Sequence, residues 1–407
     1  YNYTAMNLPE YVTMLLKKLN DAGFEAYAVG GAVRDSLRGE IPHDYDITTN
    51  ALPDQMKQVF HDFHLIETGI QHGTVTVMVN HKPVEITTYR KDSPYQDHRH
   101  PDHVEFTSAL KEDCQRRDFT INAMCYHPDQ GFVDFFGGKE DLKKGIIRCI
   151  GDPEKRFEED ALRILRALRF AARFSFAIDP DTARVLLEKK DTLSYVSMER
   201  INEEFTGILK SKGYADILED YREVIEVFLP EIKTIRDDNW KQLHQRLDEE
   251  TTKRADIRMS LILYALQDRM QARKVLKRMK YSNHFIATCT DLLNTADDPA
   301  TSDIQFRQVL GRMQTDTDTW FAFQKALHPE MLLAEKKQQY ARLTNDTYCW
   351  KLSQLHITGK DLIKIGIKGI AIGDTLRILL EKVMHEEIPN EKEILLQEAQ
   401  KYHNQQK

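Results

Sequence analysis

The sequence has little cysteine. Five residues in 407, at positions 114, 125, 149, 289 and 349, form no Cys-x-x-Cys pair. An odd, scattered set argues against a disulfide framework and against structural zinc, and fits a reducing cytoplasm. Long apolar runs are also missing. No stretch approaches the roughly 18 to 20 apolar residues that cross a bilayer, and none reads as a signal peptide, so a membrane or secreted protein is not expected. Excess positive charge is absent, because 57 Lys and Arg stand against 64 Asp and Glu for a net charge of −7. Nucleic-acid contact must therefore rest on local basic patches. There is no internal repeat, low-complexity tract, Walker A loop or zinc motif, and no His-Asp metal dyad of the hydrolase kind stands out among the 15 histidines. A second active site is not expected, and no protein partner is implied.

What is present is organised around residues 27–50. Tyr27-Ala28-Val29 is a short apolar run ending in Gly30-Gly31, the pattern of a buried strand turning into a helix. Asp44 and Asp46 follow, flanked by Tyr45 and Ile47. In an extended chain side chains alternate, so both aspartates share one face while Tyr45 and Ile47 point into the core. Their Cα atoms would then lie roughly 6.5 Å apart. Two carboxylates that close repel unless a cation sits between them. Mg²⁺ suits oxygen ligands and phosphate substrates. Two solvated aspartates in a turn are the ordinary alternative. Two features favour the metal: glycines upstream let backbone N–H groups approach a phosphate closely, and Glu85 stands in an apolar stretch, Val84 to Tyr89, where an unpaired carboxylate would be costly.

Gly-Gly, Asp-x-Asp and an acid on a later strand resemble the nucleotidyltransferase superfamily that includes DNA polymerase beta. The longer wording, Val-Gly-Gly-Ala-Val-Arg-Asp and then His-Asp-Tyr-Asp-Ile-Thr-Thr-Asn-Ala, resembles the bacterial class II tRNA nucleotidyltransferases, the CCA-adding enzymes, and their poly(A) polymerase relatives. The resemblance is strong over residues 22–175 and weaker beyond.

Between these blocks the pattern predicts a helix over 7–19, capped by Asn7, a helix over 32–37, a helix over 53–60, and strands over 65–68, 73–79 and 83–89. The last two strands form a hairpin around Asn80-His81. The result is a mixed sheet with the acids at one edge. Residues 90–103 are charged, aperiodic and carry two prolines, which reads as a loop. By resemblance this is the loop associated with switching from C to A addition, and its full length argues against an enzyme limited to CC.

Arg116-Arg117-Asp118-Phe119-Thr120-Ile121-Asn122 matches a second family block. Two arginines beside a carboxylate suit a triphosphate, with Asp118 fixing an arginine; a surface ion pair is the plain alternative. The resemblance makes Arg117 a nucleotide contact.

Residues 156–173 combine strong helix formers with a polar stripe of Asp160, Arg163, Arg166, Arg169 and Arg173, opposite Leu162, Leu165, Leu168 and Ala172. A solvated amphipathic helix with an Asp160–Arg163 pair accounts for the stripe. Base recognition accounts better for the pairing. Cytosine and adenine both present an exocyclic amine beside an unprotonated ring nitrogen; a carboxylate accepts from the first and a guanidinium donates to the second. Guanine and uracil reverse both contacts and leave polar groups unpaired. Glu159-Asp160-Ala161-Leu162-Arg163 also matches the family's Glu-Asp-x-x-Arg block, and Arg166 and Arg169 match positions that hold phosphates or brace the pair.

Beyond residue 179 the spacing is helical throughout, with helices expected over 186–193, 198–209, 215–228 and 372–383. Ile357-Thr358-Gly359-Lys360-Asp361 resembles the family's tail block, although Lys368-Gly369-Ile370-Ala371 replaces its usual Pro-Gly-Pro-like turn.

The resulting expectation is an α+β chain: a polymerase-beta-like head with a mixed β-sheet (1–150), then an all-α neck (151–210), body (211–320) and tail (321–407) that binds tRNA. The resemblance implies template-independent addition of C, C and A to tRNA lacking its 3′ CCA, from CTP and ATP, in the cytoplasm. Asp44 and Asp46 would hold Mg²⁺ with Glu85 as third carboxylate; Gly31, Arg34 and Arg117 would bind triphosphate or ribose, and Asp160 and Arg163 would select the base. A terminal A-adding enzyme, a poly(A) polymerase and a catalytically silent RNA-binding protein are the alternatives.

Overall fold

A computed structural model describes residues 5–92, 104–344 and 349–407. The chain forms two compact units, 1–233 and 234–407. The first unit is built on a seven-stranded sheet: β1 (Ala26–Val29), β2 (Asp46–Thr49), β3 (His64–Ile66), β4 (Thr74–Val79), β5 (Lys82–Thr88), β8 (Cys125–His127) and β9 (Gly131–Val133), in the order β3-β4-β5-β2-β1-β8-β9. β2 and β5 run parallel, and every other neighbouring pair is antiparallel, so the sheet is mixed. The acids sit at its centre, on β2 and β5, and not at an edge. β4 and β5 turn through Asn80 and His81, both with positive φ (50° and 65°), as a two-residue hairpin matching strand twist requires.

Residues 90–92 are not loop. β6 (Arg90–Asp92) pairs with β7 (Val104–Phe106) as an antiparallel ribbon. The rest of the expected loop, residues 93–103, lies outside the described residues. α1 (Glu10–Asp21) buries Val12, Leu15, Leu16 and Leu19; Pro9 stands at its N-cap in place of Asn7 and fixes φ at −61°. α2 (Gly31–Leu37) follows β1, and α3 (Pro53–Val59) follows β2. Next come α4 (Leu110–Gln115) and α5 (Gly138–Lys144).

The expected single helix over 156–173 is two. α6 (Pro153–Glu159) ends at Asp160, whose backbone is extended (φ −151°, ψ 108°), and α7 (Leu162–Phe174) starts afresh. The cause is local: the Asp160 carboxylate accepts the N–H of Leu162 at 3.1 Å, and a side chain that bonds its own backbone competes with helix continuation. The apolar side of α7 is as expected, with Leu162, Leu165, Leu168 and Ala172 buried. α8 (Pro180–Glu188) ends before the expected 193 in a 3₁₀ turn over Lys190–Tyr195, and α9 (Met198–Leu209) is as predicted. The helix expected over 215–228 is split into α10 (Tyr214–Asp220) and α11 (Arg222–Phe228) at Tyr221, whose φ/ψ of −118° and 30° leaves the helical region.

The second unit is helical, from α12 (Asp237–Glu249) and α13 (Ala255–Tyr264) to the last two helices, Ile370–Met384 and Lys392–Gln405. α13 is buried around its whole circumference; Ile257, Met259, Leu261 and Ile262 each lose almost all solvent contact, and its Arg258 is buried with them. The C-terminal part of this unit packs Leu362, Leu379, Val383 and Leu395 into a second core. No helix among the described residues is long and apolar enough to cross a membrane.

Candidate active site

The acids are arranged by β-sheet geometry. Asp44 and Asp46 are exposed while Tyr45 and Ile47 are buried, the alternation expected of an extended chain. Parallel pairing sets Asp46 directly against Glu85, one strand spacing of roughly 4.8 Å away. Glu85 is itself exposed, between buried Val84 and Ile86. Glu85 therefore bears no burial cost, contrary to the expectation from its apolar neighbours: β5 is apolar on one face only, and Glu85 joins Asp46 on the other. Crowding still acts on this pair. Surrounding protein withdraws the Asp46 carboxylate from water and the negative charges of Glu85 and Asp44 add to the effect, against the pull of Arg117, so its pKa rises from 3.8 to about 6.

Gly30 closes β1 with φ of 78°, a backbone open to glycine at little cost, and its N–H donates to the Met124 carbonyl at 3.2 Å. A side chain on Gly31 would press on the Arg34 guanidinium at 3.3 Å. Arg34 is buried, donates to Asn122 Oδ1 at 2.6 Å and to Asp35 at 3.0 Å, and lies 4.9 Å from the Phe174 ring. Its burial pushes its pKa down.

Across the cleft, Asp118 fixes Arg166 and not its neighbours. Arg166 donates to Asp118 Oδ2 through Nε at 2.7 Å and Nη2 at 2.6 Å, a two-pronged pairing that suits guanidinium and carboxylate. Burial opposes the Asp118 charge, but Arg166 and Asn122 outweigh it and hold the pKa at about 2. Arg116 and Arg117 are held instead by Asp113, a residue that sequence reasoning passed over.

Asp160 and Arg163 do not pair with each other. Asp160 accepts from Arg200 Nη2 at 3.2 Å; Arg163 donates to Glu159 at 2.6 Å and to the Arg116 carbonyl at 3.1 Å. Nor is the stripe a solvated face, because Arg163 is buried. Burial raises the pKa of Asp160 against the pull of Arg200. Arg169 is drawn onto Glu204 of α9 at 2.5 Å. Arg200 and Glu204 were invisible as site residues in the sequence, where only their charge was a signal, and Asn122 stood out only as part of the block that begins at Arg116.

A cleft of about 450 Å³ brings together Gly31, Arg34, Asp46, Arg117, Asp160, Arg163 and Arg166. Glu85, Asp44 and Arg169 are not among its lining residues: Glu85 is the strand neighbour of Asp46, Asp44 precedes β2, and Arg169 is paired with Glu204. Acids beside a cluster of guanidinium groups match a polyphosphate bound with a divalent cation: the oxygen-only donors suit the cation and the anion-binding forks suit the phosphates.

Sheet, acids and arginine cleft together define a nucleotidyltransferase. Residues 26–148 match the Poly A polymerase head domain, 175–235 an RNA-binding-site family of polymerase A, and 250–399 the second domain of tRNA nucleotidyltransferases. The chain is 36% identical over 401 residues to a CCA-adding enzyme of Leuconostoc mesenteroides, with 96% of each covered. The fold is similar to that of the Bacillus stearothermophilus CCA-adding enzyme in complex with CTP, at a TM-score of 0.78 and 28% identity over 97% of this chain and 98% of that one. It is also similar to a Thermotoga maritima CCA-adding enzyme complexed with tRNA-CCA, at a TM-score of 0.71 and 23% identity over 97% and 96%. This chain belongs to the family of CCA-adding enzymes, tRNA nucleotidyltransferases that use a divalent metal.

Proposed function

We propose that this enzyme adds C, C and A in turn to the 3′ end of tRNA lacking them, taking CTP and ATP, without a nucleic-acid template, in the cytoplasm. The observation that carries the reading is the single cleft in which Asp46, the guanidinium ring and the Asp160–Arg163 pair converge. Asp44 and Asp46 would hold Mg²⁺, with Glu85 beside them. Once bound, the cation supplies charge stabilisation for the attacking and leaving oxygens. The RNA 3′-hydroxyl attacks the α-phosphate and pyrophosphate leaves. Arg117 and Arg34 orient the triphosphate, and Gly31 keeps its approach open. Arg166, locked by Asp118, and Arg169, locked by Glu204, stiffen the selecting wall.

Asp160 and Arg163 read the base edge. Each Asp160 oxygen already accepts one hydrogen bond and has capacity for another, so Arg200 aims the carboxylate without exhausting it. Residues 1–150 form the catalytic head and 151–210 the neck bearing the selector; the body (211–320) and tail (321–407) grip tRNA by shape and phosphate contacts.

The test is extension of tRNA lacking CCA with labelled CTP and ATP, separately and together, read as product length. Three residues ending in A support the reading. A long A ladder would mean a poly(A) polymerase, extension only of tRNA ending in CC an A-adding enzyme, and no extension a silent binder.

A further inference from the structure

Asp113 is fully buried and charged. Four donors from three parts of the head converge on it: Thr48 Oγ1 at 3.0 Å, the Arg90 backbone N–H at 3.0 Å, Arg116 Nε at 3.2 Å and Arg117 Nη2 at 3.3 Å. Thr48 lies two residues after Asp46 on β2, hence on the same sheet face. Asp113 therefore stands on the same face of the sheet as Asp46, and Arg117 lies within electrostatic reach of both Asp113 and Asp46. Burial opposes the Asp113 charge, but Arg116 and Arg117 outweigh it and keep its pKa below the ordinary value. Arg117 also has an Nε buried with no hydrogen-bond partner among the described residues. Its orientation accordingly rests on Nη2, and so on Asp113. Leaving a buried donor unsatisfied is costly, and a guanidinium without its anchor would turn to relieve it.

We propose that Asp113 is a positioning residue that acts through Arg117 to set nucleotide affinity, holding that guanidinium at the edge of the acid pair where a triphosphate lies. The inference rests on the nucleotidyl-transfer reading above. A cation that holds the triphosphate acts on ground state and transition state alike, so its displacement raises KM and leaves kcat nearly unchanged. CTP and ATP share the triphosphate, so both suffer equally, and base choice does not move.

The test measures steady-state CTP and ATP kinetics on tRNA substrates with Asp113→Asn, Arg117→Lys and the double variant. The expected result is a KM increase of about tenfold for both nucleotides in Asp113→Asn, the worth of one charge-assisted hydrogen bond, with kcat within about threefold and tRNA affinity unchanged. The double variant should be little worse than Arg117→Lys alone, because both act through one group. A merely structural Asp113 would give effects that multiply, and that outcome overturns the proposal. So does an unchanged or lowered KM, or a fall in kcat alone. Should Asp113→Asn fail to fold, Thr48→Val removes one donor while keeping the charge; a smaller KM rise in the same direction supports the proposal, and no change overturns it. Wild-type protein that extends no tRNA would instead sink the functional reading itself.

Discussion

Replacing Asp46 by Asn should abolish nucleotide addition and, with metal chelated, make the fold more stable. Asp46 faces Glu85 across the β2–β5 pairing, and its pKa stands near 6 against 3.8 for an ordinary aspartate. An unfolded Asp46 loses its proton near pH 3.8 and the folded one near 6, so the native state holds the extra proton between those values. Its stability falls as pH climbs through that window. Two pK units amount to about 3 kcal/mol for a buried group. Asp46 is exposed, so solvent screening reduces this to about 1 kcal/mol. Asn keeps the shape and removes the charge. Urea unfolding at pH 7.5 in EDTA should therefore show Asp46→Asn more stable by about 1 kcal/mol, and the gap should close at pH 4, where the wild-type carboxyl is largely protonated. A variant that is equally or less stable at pH 7.5, or a gap that persists unchanged at pH 4, would refute the crowding argument.

Other positions give independent checks. Asp118→Asn should cost about 2 kcal/mol at pH 7 by urea midpoint, following its pKa of about 2; the contribution is present above pH 4 and lost as pH falls toward 2, so the two proteins should converge there. Gly138→Ala should lower stability by roughly 3 kcal/mol, because the new Cβ would overlap the Thr120 carbonyl oxygen, a backbone atom that cannot swing away; thermal unfolding reads this directly. In the second unit, Glu250→Gln would remove the negative charge now paired with Arg258 at 2.6 Å, with both side chains buried. A loss of about 3 kcal/mol should appear in urea unfolding.

Features of this site that depend on near neighbours were legible in the sequence. Alternation around Tyr45 placed Asp44 and Asp46 on one face, Gly30 marked the end of a strand, and the leucines of α7 marked its buried side. Features made by distant partners were not. Arg34 meets Asn122 across 88 positions and Asp160 meets Arg200 across 40; nothing in either stretch names the other. Glu85 misled because an apolar neighbourhood in sequence says which strand is half-buried, not which face a given residue takes. The break before α7 was hidden for a related reason. Ala, Leu and Arg on both sides favour helix, and only the conformation of Asp160 shows that its carboxylate has closed on the Leu162 N–H.

That closure has an evolutionary consequence. The carboxylate that reads the base on the proposed mechanism is also the group that starts a helix, so base preference and backbone path share one side chain. A substitution at position 160 with the right hydrogen-bonding pattern for another base must also reproduce the turn, or the wall carrying Arg163 and Arg166 shifts with it. Altered nucleotide choice is thus expected to need at least two changes, one to read the new base and one to restore the joint. Few single mutations can produce an enzyme that writes the wrong end on tRNA.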